Sequence, residues 1–122
     1  MKGVEELCKK YNVLLICDEV QTGLGRTGKL VCVDHYNVRP DIMILGKSLS
    51  GGFLPVSAVL CDDHIMELIK PGQHGSTYGG SPLACEVAMK AIQVVLDEKM
   101  VENSAKMGEY LKKNLERIVT GD

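Results

Sequence analysis

The sequence predicts an α/β fold, a mostly parallel sheet with flanking helices. Two observations carry this. Short unbroken apolar runs, the mark of strands buried on both faces, are interspersed with segments whose apolar residues recur at helical spacing. The first two runs are also separated by about 25 residues, enough chain for the crossover that a parallel pair needs.

Taken in order, Val4, Leu7, Cys8 and Tyr11 fall on one side of an amphipathic helix over 2–11, which Asn12 ends. Val13-Leu14-Leu15-Ile16-Cys17 is the first buried strand and stops at Asp18-Glu19. A glycine-rich loop, Thr22 to Gly28, precedes a short helix expected over 29–36. Pro40-Asp41 punctuates before the second strand, Ile42-Met43-Ile44-Leu45. The loop Gly46-Lys47-Ser48-Leu49-Ser50-Gly51-Gly52 leads to a third strand over 55–61. Asp62 or Asp63 is placed to cap a helix that runs to Lys70, before Pro71-Gly72. After a polar loop over 73–80, Ser81-Pro82 has the pattern of an N-cap with proline at the first helical position. That helix is expected to reach Lys99, and a last amphipathic helix spans 101–118.

Composition narrows the function. The 122 residues suffice for one domain of ordinary size, and 45% hydrophobic with 25% charged residues is normal for a globular chain. A net charge of −2, no tryptophan and a single phenylalanine argue against a nucleic-acid partner, which selects for basic faces and stacking rings. No apolar run approaches the roughly 20 residues that span a bilayer, so no membrane partner is expected. Met1 to Glu6 carries acids where a signal peptide needs its apolar core. Five cysteines with no C-x-x-C pair read as reduced thiols of an intracellular protein.

Parallel strands present their C-terminal ends on one edge, where ligands collect in open α/β sheets. Asp18 follows the first strand directly and Lys47 follows the second by one glycine, so both belong to that edge. Neighbouring strands lie about 4.8 Å apart, so a small planar ligand could reach both side chains. A lysine there can condense with an aldehyde, and an aspartate can keep a pyridinium nitrogen protonated. For an arbitrary Asp and Lys the plainer account is a loop cap and a solvated cation.

Other motifs compete for the same residues. Residues 23–28 match G-x-G-x-x-G, but Asp18 to Thr22 intervene after the strand and no long helix follows, as a dinucleotide site requires. Gly23 to Lys29 matches G-x-x-x-x-G-K, yet Leu30 stands where a P-loop places the Ser or Thr that holds magnesium. A P-loop-like nucleotide-binding protein remains the alternative of a different class. His35, His64 and His74 lack metal-ligand spacing, so no metal site is expected.

Three stretches decide for the Asp–Lys edge. Leu15-Ile16-Cys17-Asp18-Glu19-Val20-Gln21-Thr22-Gly23-Leu24-Gly25-Arg26-Thr27-Gly28, the lysine segment Asp41 to Gly52, and His74-Gly75-Ser76-Thr77-Tyr78-Gly79-Gly80-Ser81-Pro82 together resemble the class III pyridoxal-phosphate aminotransferases of fold type I, in that family's order and spacing. Ser48 and Ser81 depart from the residues usual there, alanine and asparagine, and neither replaces a catalytic group. The resemblance implies that Lys47 is the catalytic lysine holding pyridoxal 5'-phosphate, that Asp18 pairs with the ring nitrogen and that Gln21 meets the phenolic oxygen side of the ring. It implies that Thr77, with Ser76, binds the cofactor phosphate of a partner subunit, hence a homodimer or higher homo-oligomer.

Within the class, Leu45 to Gly52, Pro55 to Asp63 and Ile69 to Gly80 resemble the branch that transfers the δ-amino group of L-ornithine to 2-oxoglutarate. The branches acting on acetylornithine and 4-aminobutyrate resemble it less between the first and third motifs. Arg26, in the glycine-rich loop, reads better as a salt-bridging or loop-capping residue than as a carboxylate binder. Since the family's chains are several times longer, residues 1–122 are expected to be a central piece of the large cofactor-binding domain. Preceding and following segments would then supply the ring that stacks on the cofactor and an arginine for a substrate carboxylate. The compartment implied is the mitochondrial matrix or the cytoplasm.

Overall fold

A computed structural model describes residues 1–121. Helix α1, Lys2–Tyr11, ends where Asn12 takes the left-handed conformation and its N–H bonds back to the carbonyls of Cys8 and Lys9. Strands β1 (Ile16–Asp18) and β2 (Ile42–Leu45) follow, separated by a 3-10 turn at Cys32–His35. A second 3-10 turn, Lys47–Ser50, leads to β3 (Ala58–Cys61) and the single turn α2 (Asp63–Met66). Two long helices close the chain, α3 (Pro82–Asp97) and α4 (Met100–Thr120).

The sheet has the order β1-β2-β3. The expected parallel pair is present, with Ile16, Cys17 and Asp18 opposite Ile42, Met43 and Ile44. β3 runs antiparallel to β2, from Ile42 opposite Cys61 to Leu45 opposite Ala58, so the sheet is mixed.

Several expectations are corrected. The 29–36 helix is only the 3-10 turn Cys32–His35. The helix expected to reach Lys70 stops at Met66. Asp62 stands at its N-cap position without a capping bond, its carboxylate being taken by Arg39 at 2.7 Å. The third strand starts at Ala58 rather than Pro55; both Pro55, which lacks an N–H, and the residues around it lie outside the ladder.

The largest correction concerns burial. β1 alternates, with Cys17 buried and Ile16 and Asp18 exposed, and β2 is half-buried throughout. Leu15, Cys17, Val33 and Val38 form the core, with Cys8, Val31 and Met43 packed against it. That core covers one face of β1. Leu14 at 49% and Ile16 at 53% exposure lie on the face that the described residues leave uncovered. An unbroken apolar run states that both faces suit burial; whether both are covered depends on layers outside the strand.

Candidate active site

The parallel pairing delivers Asp18 and the Lys47 turn to the same end of the sheet, and the ladder continues one step further as the Glu19 N–H donates to the Ile44 carbonyl at 2.9 Å. Gly46 brings the two segments together: a Cβ there would stand 3.5 Å from both γ-methyls of Val20 and 3.7 Å from Ser57. Lys47 itself takes a left-handed backbone, φ 47°, a region that costs a non-glycine residue about 1 kcal/mol or more. The turn it opens lies against α3, where the small buried Ala84 and Ala88 permit close approach and Leu49 and Ser50 are buried.

Asp18 is exposed, and its Oδ1 accepts the Val20 N–H at 3.0 Å. Gln21 lies exposed in the turn that follows. Lys47 and Ser76 line one cleft of about 500 Å³, together with Ser57, Tyr78 and Cys85. Ser76 Oγ accepts the Gly79 N–H at 2.8 Å, which shapes the loop and leaves the hydroxyl proton able to donate. Thr77, next in the chain, is exposed, as is its neighbour Tyr78 at 85%. The structure therefore sets Asp18 and Lys47 at the same end of the parallel pair, with Gln21 in the turn after Asp18; it brings Ser76 to the lysine's cleft, which neither Asp18 nor Gln21 lines, and leaves Thr77 exposed.

The glycine-rich loop has a different task from phosphate binding. Gly25 and Gly28 have φ of 90° and 85°, and a Cβ on them would stand 3.1 Å from Val101 and 2.8 Å from Ala105. The loop is thus seated against the first turns of α4, and no long helix opens from it. Ser104 Oγ donates to the Arg26 carbonyl at 2.9 Å and His35 Nε2 meets the Thr27 carbonyl at 2.9 Å, which fix the loop further. Both the dinucleotide and the P-loop readings fail on this geometry. Among the described residues Arg26 makes no ion pair, and its side chain borders a second cleft with Lys47 and Ser48. No group of three His, Cys, Asp or Glu among the described residues could hold a metal ion.

The sequence reading overlooked Glu19. It is only 3% exposed, and its carboxyl accepts the Val33 N–H at 2.8 Å and the Thr22 hydroxyl. The period of two was the available signal: Leu15, Cys17 and Glu19 share a face, so burial of the first two carries the third inward. Burial, and then the nearby Glu19 carboxyl, push the Cys17 thiol above its ordinary value.

Over residues 1–122 the chain matches the family described as aminotransferase class III. It is 65% identical over 118 residues to a probable mitochondrial ornithine aminotransferase of Caenorhabditis elegans, covering 97% of this chain and 28% of that one. Among solved structures, the ornithine aminotransferase of Plasmodium yoelii superimposes with a TM-score of 0.92 at 60% identity, covering 95% of this chain and 31% of that one. An acetylornithine aminotransferase of Elizabethkingia anophelis gives 0.95 at 58% identity, covering 98% and 30%. This chain therefore spans less than a third of the length of each.

Proposed function

This chain belongs to the class III aminotransferases, and from that premise we propose that it is the central part of the cofactor-binding domain of an enzyme transferring the δ-amino group of L-ornithine to 2-oxoglutarate. The products are glutamate 5-semialdehyde and glutamate. The observation that carries the reading is the parallel β1–β2 pair, which sets Asp18 and Lys47 on one edge of a chain 65% identical to a probable ornithine aminotransferase.

Pyridoxal 5'-phosphate fits the residues present. The donor set is an amine for an aldehyde and a carboxylate for a ring nitrogen at one end of the parallel pair, with exposed hydroxyls on Ser76 and Thr77 for a phosphate. When bound, the group supplies an electron sink for proton removal at the substrate carbon. Lys47 is the residue that would hold it, and its free amine would move the proton at that carbon as base and then acid. The Asp18 carboxylate keeps a proton on the ring nitrogen; its Oδ1 is occupied by Val20, and its other oxygen makes no hydrogen bond among the described residues. Gln21 donates toward the phenolic oxygen side. Thr77, with Ser76, donates to the phosphate held in the partner subunit of a homodimer, a role that matches its exposure here. The parent protein works in the mitochondrial matrix or the cytoplasm.

The test is donor specificity in the full-length parent. With 2-oxoglutarate as acceptor, kcat/KM for L-ornithine is expected to exceed that for N-acetylornithine and 4-aminobutyrate by about tenfold or more. Faster turnover of either competitor would assign the protein to that branch instead.

A further inference from the structure

Asp18 and Gln21 stand in a turn most of whose hydrogen bonds lead to one residue. The Glu19 N–H bonds to Ile44 on β2 at 2.9 Å, and its carbonyl accepts the Gly23 N–H at 2.8 Å, closing the turn around Val20, Gln21 and Thr22. Its carboxyl then ties the turn sideways, to the Thr22 hydroxyl, and inward, to the N–H of Val33 in the Cys32–His35 turn. The fit is tight: a Cβ on Gly23 would stand 2.7 Å from the Glu19 carbonyl oxygen and 3.2 Å from Leu45. Asp18 is bound into the same turn through Val20.

A carboxyl buried to 3% exposure is costly unless its oxygens are satisfied, and here each oxygen has a partner. An apolar residue would fill the same space without that cost, but it could not tie Thr22 to Val33. We propose that Glu19 is a positioning residue of the active edge: it fixes the 18–23 turn and thereby the directions in which Asp18 and Gln21 present their side chains. Val33, 5% exposed in the core, is the fixed point to which the turn is referred. The inference rests on the cofactor-binding reading for its consequence, though not for the anchoring itself.

Two variants of the full-length parent test it. Thr22→Val keeps volume and removes the sideways tie; Glu19→Leu fills much of the same space and removes both ties. Val38→Ala, in the same core at 6% exposure and without a bond to Glu19, serves as the control for general loosening. Amide exchange at Gly23 is expected to quicken roughly tenfold in Thr22→Val relative to the parent. With pyridoxal phosphate bound, the absorbance maximum is expected to shift and kcat to fall by about tenfold or more, with KM for ornithine little changed. Val38→Ala is expected to lower the melting temperature and leave the absorbance maximum in place. Unaltered Gly23 exchange in both variants would overturn the proposal, as would the same spectral shift in Val38→Ala. A parent that shows no bound-cofactor absorbance would refute the cofactor reading instead, and the exchange measurement would still decide whether Glu19 anchors the turn.

Discussion

At the scale of single residues, the site depends on where strands stop. Lys47 lies two residues beyond β2 in a left-handed backbone, which a lysine adopts only if the surrounding structure enforces it. Borohydride reduction of the cofactor-loaded parent is expected to fix the label on Lys47. Peptide mass mapping checks this, and a label on Lys29 or Lys70 would overturn the assignment. Asp18→Asn is expected to let the cofactor bind but to slow turnover by roughly a hundredfold or more, because the ring nitrogen loses its charged partner. Near-normal turnover of ornithine in steady-state assay would remove that role from Asp18. The sequence displayed Asp18, Lys47, Gln21, Ser76 and Thr77 through motifs. It hid Glu19, because a carboxylate after a strand looks solvated until the burial of its i−2 neighbour is known.

Among the elements, the amphipathic helices α1 and α4 were the most legible, whereas the expected 29–36 and 62–70 helices shrank to single turns. α1 carries its periodicity in ten consecutive residues and its left-handed stop at the next, Asn12, so the expected 2–11 and the observed Lys2–Tyr11 coincide. Short strands are set by pairing partners elsewhere in the chain: β2 stands where expected, at Ile42–Leu45, while β1 is found at Ile16–Asp18 and β3 at Ala58–Cys61. The glycine-rich loop is the sharpest case. Its pattern suggests phosphate, while its glycines admit α4 at close range. Gly28→Ala in the parent is expected to cost about 2–4 kcal/mol, from φ of 85° plus a clash with Ala105. Gly72→Ala, at the same φ of 85° but with nothing within 4 Å, is expected to cost only about 1–2 kcal/mol. Equal shifts in the denaturant midpoint would show that contact with α4 contributes nothing.

For the whole molecule, the apolar surface is the deciding quantity. Leu14, Ile16 and Leu60 on the sheet, and Met107, Tyr110, Leu111, Leu115 and Ile118 along α4, are all at least 43% exposed. On the proposed reading this chain is the central part of a longer parent, its match spanning 28% of a relative's length, and the rest of that parent would cover these surfaces. Residues 1–122 expressed alone are therefore expected to aggregate and to show no transaminase turnover, since unpaired strand edges and bare apolar faces associate. Thermal unfolding and absorbance with added pyridoxal phosphate measure this; cooperative unfolding with turnover would show the isolated chain to be sufficient. By itself the sequence determined the α/β class, the helix periods and the residue types at each motif, because these are local properties of consecutive side chains. Only the tertiary structure decided which face of β1 is buried, that β3 runs antiparallel, that the glycines serve α4, and that Glu19 ties the active turn to the core. Each of those depends on contacts between segments distant in the chain, whose pairing no local pattern specifies.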